Sequence, residues 1–230
     1  MTESRWSILL DGLAKRALFW SPLRSLVLHK YRYAFTPGQL ARLTLLAGEA
    51  ARIEGDFCEI GCYRGYTTVW LNRHLDAVAP DKRYWAVDTF GGFVADDVAH
   101  ERKSRGKSSV EDARAMGKFT VNSQRWFDAT MTLNGIARVQ SHAAAVQDFD
   151  FPPEARFCFA LIDVDLYRPT LVALEKLWPR MTPGGIVVID DCHERHVYDG
   201  SRQALEEFVA PRGLGFEVVE TKLGVVRKPV

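Results

Sequence analysis

Residues 158–191, CFALIDVDLYRPTLVALEKLWPRMTPGGIVVIDD, decide how this chain folds. The stretch opens on a short apolar run that stops at Asp163 and Asp165, passes through a helical pattern, and closes on a second apolar run ending at Asp190 and Asp191. Runs apolar on both sides are what strands show when helices cover both faces of their sheet. A strand, a helix and a second strand in that order make a parallel pair joined by a crossover.

The same punctuation spreads outward. DFCEIG (56–61) reads as a strand that stops at glycine, and YTTVWLNRHL (66–75) resumes a helical pattern. RYWAVD (83–88) and ARVQS (137–141) read as two further strands. Upstream, TPGQLARLTLLAGEAARI (36–53) carries apolar residues at helical spacing, with Thr36 placed to cap and Pro37 at the first helical position. The tail breaks the rule: GFEVVE (215–220) and GVVRKP (224–229) are separated only by TKL, too short for a crossover, so these two strands pair antiparallel. The expected fold is α/β: a doubly wound, mostly parallel, seven-stranded sheet closed by a C-terminal antiparallel hairpin.

Two regions stand outside that pattern. Residues 1–35 form an expected N-terminal helical extension, in which Trp6, Leu9, Leu10, Leu13 and Leu18 share one side while Asp11, Lys15 and Arg16 interrupt any membrane-spanning run. Such a helix packs on the domain or on a second subunit, making a homodimer. Residues 36–230 then form the main domain, with an insertion at about 93–121 that is polar and mixed in charge. At that length it reads as a solvated loop with a frayed helix or as a lid over the strand ends.

Composition narrows the function. Thirty basic residues against twenty-nine acidic leave a formal charge of +1, which gives no field for gathering a nucleic acid. Cys58, Cys62, Cys158 and Cys192 lack the spacing of a zinc site and read as free thiols in a reducing compartment, the cytoplasm.

At the first strand-to-helix turn, EIGCYRG brings Glu59, Gly61 and Gly65 to a helix N-terminus, where missing side chains let a ligand approach the backbone. Asp88 ends the second strand, a position from which doubly wound folds reach a ribose. The third glycine of a dinucleotide fingerprint is absent, which counts against an NAD-dependent oxidoreductase. The sheet outline resembles the class I, Rossmann-like methyltransferases that use S-adenosylmethionine (SAM). That resemblance assigns Glu59, Gly61 and Gly65 to the methionine part of SAM and Asp88 to its ribose, with Ser141 and His142 near the adenine.

Asp163 and Asp165 at the end of one strand and Asp190 and Asp191 at the end of the next place four carboxylates within reach of each other. Each alone could cap a helix or pair with Arg168 or Arg195. Together they call for a compensating cation, and a hard divalent ion such as Mg²⁺, or Mn²⁺, suits an all-oxygen set. Asp163 and Asp165 point the same way from extended backbone, so one can hold metal while the other handles a proton.

IDVDLYRPTLVALEKLWPRMTPGGIVVIDD, GSRQALEEF, GDFCEIGCYRG and AVDTFGGF together resemble the TylF/MycF family of metal-dependent O-methyltransferases. The resemblance runs from about Thr36 to the C-terminus and implies a SAM- and magnesium-dependent enzyme acting on a hydroxyl, sugar or phenolic, of a small natural product. It places metal ligands on Asp163, Asp190 and Asp191, with Asp163 also beside the cofactor. Asp165, His193 and Asp163 are the candidate catalytic groups. The chain departs from the family where Cys192, His193 and His196 follow the tandem aspartates in place of an aromatic residue. That segment keeps open a SAM-binding protein with a non-methylating or regulatory role.

Overall fold

A computed structural model describes residues 5–24, 28, 31–107, 119–193 and 199–230. The chain packs as two units, Met1–Ala34 and Phe35–Val230. The first contains helix α1 (Arg5–Phe19), on which Leu9, Leu10 and Leu13 are exposed. Among the described residues no helix is long and apolar enough to cross a membrane.

The second unit is built on one seven-stranded sheet. In chain order its elements are α2 (Pro37–Ala50), β1 (Asp56–Ile60), α3 (Tyr66–Val78), β2 (Tyr84–Asp88), α4 (Ala95–Arg105), α5 (Gln124–Leu133), β3 (Val139–Ala143), β4 (Phe157–Ile162), α6 (Tyr167–Leu177), β5 (Met181–Ile189), α7 (Gly200–Val209), β6 (Phe216–Val219) and β7 (Leu223–Arg227). The strands lie in the order β3-β2-β1-β4-β5-β7-β6. β1 to β5 pair parallel, while β7 runs antiparallel to both β5 and β6. This is the doubly wound sheet with a C-terminal hairpin that the sequence predicts.

Local chemistry sets these elements. Thr36 Oγ1 accepts the Gln39 N–H while Gln39 Oε1 accepts the Thr36 N–H, a reciprocal capping box with Pro37 behind it. Every residue of β1 and β4 is buried, as an apolar run on a helix-covered sheet requires. β3 begins two residues later than the ARVQS reading and runs through His142 to Ala143.

Register brings the functional ends together. Ile60 of β1 lies opposite Ile162 of β4, and Ile162 opposite Ile189 of β5. The ladder continues past the strands: the Asp163 N–H donates to the Ile60 carbonyl at 2.8 Å and the Asp190 N–H to the Ile162 carbonyl at 2.9 Å. Asp163 and Asp190 are therefore held side by side, one residue beyond each strand.

The insertion after β2 is anchored at both described ends. In α4, Asp97, Val98 and Glu101 are buried. Arg105 bridges Glu101, Asp199 and Gln203, and Glu101 Oε1 accepts the Tyr167 N–H at the start of α6. At the other end the Asn122 amide donates to the Tyr63 carbonyl and Arg64 donates to the Val121 carbonyl. Its first half contains a packed helix, and residues 108–118 of the insertion lie outside the described residues.

Candidate active site

The turn after β1 is shaped by what its glycines lack. Gly61 has φ +87°, and a Cβ there would stand 1.8 Å from the Asp163 carbonyl oxygen. Gly65, φ +80°, begins α3 where a side chain would strike Met131 and Phe127. Tyr63 between them also takes positive φ (46°). Asp88 clamps this turn from β2: its Oδ2 accepts the Tyr63 N–H at 2.7 Å and its Oδ1 the Phe90 N–H at 2.6 Å. Burial raises the Asp88 pKa, opposed by those backbone donors. Next to it, the Tyr63 ring meets Phe119 edge-on at 5.3 Å, and Phe119 meets Phe93 at 5.2 Å.

Glu59 faces inward. It is 1% exposed, and its Oε2 accepts Thr68 Oγ1 at 2.6 Å and the Tyr84 hydroxyl at 2.7 Å. Burial pushes its pKa to about 7 against those two hydrogen bonds. Its visible work is to brace α3 beneath the turn. Ser141 and His142 both sit within β3. Ser141 Oγ donates to Asp128 at 2.6 Å and accepts from Gln124, while the His142 ring stacks on Trp85 (5.3 Å, 17°) and lies 4.8 Å from Phe149. His142 Nε2 is buried with no hydrogen-bond partner among the described residues, and desolvation lowers its pKa. It belongs to the aromatic packing on that face of the sheet.

The four aspartates do converge. Burial, then the charges of Asp190, Asp165 and Asp191, raise Asp163 well above the ordinary carboxylate range. Burial, then Asp191, through its charge and a hydrogen bond, do the same to Asp165. Asp190, 5% exposed, is pushed up to about 6 by burial and by Asp191, with Lys222 opposing. Asp165 (φ 62°) and Asp191 (φ 56°) both adopt the left-handed backbone that few residues other than glycine, asparagine and aspartate tolerate. Two strained turns thus aim these carboxyls at each other.

One residue that sequence reasoning missed enters the group. Lys222, in the β6–β7 turn, places Nζ 2.6 Å from Asp190 Oδ2 and 3.5 Å from Asp191 Oδ1. His193 Nε2 stands 3.9 Å from Asp191 Oδ1. Cys192 is buried against Gly224, its thiol pushed up to about 12 mainly by burial; Arg195 and His196 lie outside the described residues.

Does this set fit a divalent ion? Its donors are hard oxygens, one lysine leaves the negative charge under-compensated, and Asp190 Oδ1 finds no hydrogen-bond partner among the described residues. The chemistry fits. As arranged, however, no three acidic, imidazole or thiol side chains among the described residues stand close enough to hold a metal.

A family model for macrocin O-methyltransferases (TylF) matches residues 42–223. The chain belongs to that family. Among curated proteins it is 28% identical to 8-demethyl-8-(2,3-dimethoxy-alpha-L-rhamnosyl)-tetracenomycin-C 4'-O-methyltransferase of Streptomyces olivaceus and 26% identical to mycinamicin III 3''-O-methyltransferase of Micromonospora griseorubida. Each match covers 73% of this chain, and the chain spans 63% and 65% of the length of those relatives. The fold is that of solved methyltransferases: the O-methyltransferase NovP (TM-score 0.70, 18% identity, 84% of this chain and 80% of that one) and the calicheamicin methyltransferase CalS11 (TM-score 0.67, 18% identity, 99% and 94%). The TylF match takes in the glycine turn, Asp88, all four aspartates and Lys222.

Proposed function

We propose that the protein is a SAM-dependent O-methyltransferase that modifies a hydroxyl on the sugar of a small natural product. The observation that carries this reading is the register that sets Asp163 and Asp190 side by side, with Asp163 in backbone contact with the glycine turn at Gly61. An acidic device for activating an alcohol then lies against the place where a sulfonium donor would bind. Both curated relatives are named for methylation at primed positions, and one name includes a rhamnosyl group, which supports a sugar hydroxyl over a phenol.

SAM, when bound, supplies the methyl group by in-line displacement at carbon. Gly61 and Gly65 let the turn close against Asp163 and begin α3, whose N-terminus is the candidate seat for the methionine part of SAM, and Asp88 at the end of β2 is the candidate for its ribose hydroxyls. Glu59 acts from beneath, through Thr68, to keep that helix in position. Ser141 and His142, in β3 beside β2, are the candidates for the adenine side of the site.

Asp163, Asp190 and Asp191 are the residues that would hold Mg²⁺ or Mn²⁺, and a divalent ion there supplies polarisation of the acceptor oxygen and lowers its pKa. Asp165 takes the hydroxyl proton. Burial and the charge of Asp191 raise its pKa above the ordinary carboxylate range, which makes it a stronger base than a free aspartate. His193, 3.9 Å from Asp191, is the other candidate base, and Asp165→Asn and His193→Asn separate the two.

The test is a SAM-consumption screen against nucleotide-activated deoxysugars and rhamnosylated polyketides, with matched phenols, in the presence and absence of Mg²⁺. Turnover of a sugar acceptor with methyl ether formation is expected. Turnover of phenols alone would overturn the acceptor assignment, and SAM binding without turnover of any acceptor would favour the non-methylating alternative.

A further inference from the structure

Lys222 is the one cation seated in the acidic cluster among the described residues, and its seat is built. β7 runs antiparallel to β5, so the β6–β7 turn arrives at the same edge of the sheet as the C-terminal end of β5. The Cys192 N–H donates to the Lys222 carbonyl at 2.7 Å, which ties that turn to the residue following Asp191. One residue pair earlier, the Gln39 amide donates to the Glu220 carbonyl at 3.1 Å. The lysine side chain is 13% exposed; its ammonium lies 4.5 Å from the centre of the Phe35 ring, 2.6 Å from Asp190 Oδ2 and 3.5 Å from Asp191 Oδ1. Held by backbone on one side and by an aromatic face on the other, it is not a surface lysine that happens to reach an acid.

We propose that Lys222 is the resident cation of this site: its ammonium holds Asp190 and Asp191 when no metal is bound, and a divalent ion gains these carboxylates only against it. This rests on the methyltransferase reading of the aspartates and makes Lys222 the residue that sets how tightly the site takes metal. Two observations point the same way. The ammonium satisfies Asp190 Oδ2 and leaves Asp190 Oδ1 without a described partner, so the carboxylate is half compensated. The same ammonium reaches Asp191 Oδ1, so one lysine engages two of the three acids that a divalent ion would need. An ion bound to Asp163, Asp190 and Asp191 would sit within a few ångströms of Nζ, with like charges in a partly desolvated pocket.

The experiment is a Mn²⁺ titration followed by electron paramagnetic resonance on the chelator-stripped full chain, comparing the parent with Lys222→Met, Lys222→Gln and Lys222→Arg. SAM binding and melting temperature are measured on the same samples. The uncharged variants are expected to bind Mn²⁺ at least about ten-fold more tightly than the parent, and the arginine variant within about three-fold of it. Lys222→Met in chelator is expected to melt below the parent and to recover more on adding Mn²⁺ than the parent gains. Lys222→Gln retains a donor for Asp190, which protects the comparison should the methionine variant fold poorly. Equal or weaker Mn²⁺ binding by the uncharged variants overturns the proposal while leaving the metal site standing. Absence of Mn²⁺ binding in every variant overturns both. Failure of the parent to bind SAM strikes the methyltransferase reading, and the order of Mn²⁺ affinities still decides the role of Lys222.

Discussion

The carbonyl oxygen of Asp163 lies 1.8 Å from the point where a Cβ on Gly61 would stand. The turn after β1 and the end of β4 therefore touch backbone to backbone, and no side chain fits between them. Gly61 also sits at φ +87°, so both the space and the backbone demand glycine.

Gly61→Ala is expected to cost about 4 kcal/mol, lowering the melting temperature by roughly 10 °C, and to abolish SAM binding. Gly135→Ala is the matched control: it too has positive φ (64°), but nothing lies within 4 Å of its Cβ position. That change should cost only about 1 kcal/mol. Calorimetry on the two variants checks the claim, and equal losses would mean that backbone conformation and not contact with Asp163 makes Gly61 necessary.

Glu59 gives a pH dependence of definite sign. Its pKa is raised from 4.5 to about 7 in the folded protein, so the folded state holds the proton more tightly than the unfolded chain. The stability it contributes is fully present below about pH 4.5 and is lost as pH rises through about 7. Glu59→Gln keeps an oxygen to accept Thr68 and Tyr84 but removes the ionisation. Relative to the parent, the variant should gain up to about 3 kcal/mol between pH 5 and pH 8 in urea unfolding. Parallel profiles would show that Glu59 titrates normally.

Much of this was legible in the sequence, and the exceptions have physical causes. β1, β4 and the last five residues of β5 are buried on both faces, so their apolar runs and acidic ends announce both the parallel sheet and the aligned carboxylates. The ARVQS reading sets β3 two residues early because the strand lies at an edge of the sheet with no fully buried residue, where polar Gln140, Ser141 and His142 hide its end. Lys222 carries no local signal. It becomes visible only by following topology: a strand antiparallel to β5 must begin where β5 ends, so the TKL turn had to land beside Asp190. Arg105 was hidden the same way, since its partners Asp199 and Gln203 lie more than ninety residues away and belong to another helix.

The Arg105 network predicts a large effect far from the aspartates in sequence. Its side chain is 8% exposed and Glu101's is 1% exposed, so removing the charge strands a buried carboxylate. Arg105→Met is expected to cost roughly 3–5 kcal/mol, against less than about 1 kcal/mol for Arg227→Met, whose pair with Glu49 is exposed on both sides. Adding Glu101→Leu to Arg105→Met should recover only part of the loss, because Glu101 Oε1 also accepts the Tyr167 N–H. Chemical denaturation of the three variants measures this, and full recovery in the double variant would show that the Tyr167 bond contributes nothing.

Asp190 separates folding from chemistry. Its backbone N–H is committed to the Ile162 carbonyl whatever its side chain carries, so Asp190→Asn should keep the strand end in place. What it loses is charge: the pair with Lys222 weakens, and the set that would bind a divalent ion drops from three carboxylates to two. The glycine turn and Asp88 are untouched, so SAM affinity should stay within about three-fold of the parent. Methyl transfer should fall by about 100-fold or more, the same direction as chelation of the parent, and added Mg²⁺ should restore the chelated parent far better than the variant. Calorimetric SAM titration beside a methyl-transfer assay distinguishes the outcomes. Full activity in Asp190→Asn, or in the parent after complete metal removal, would mean that the aspartates activate the acceptor without a divalent ion.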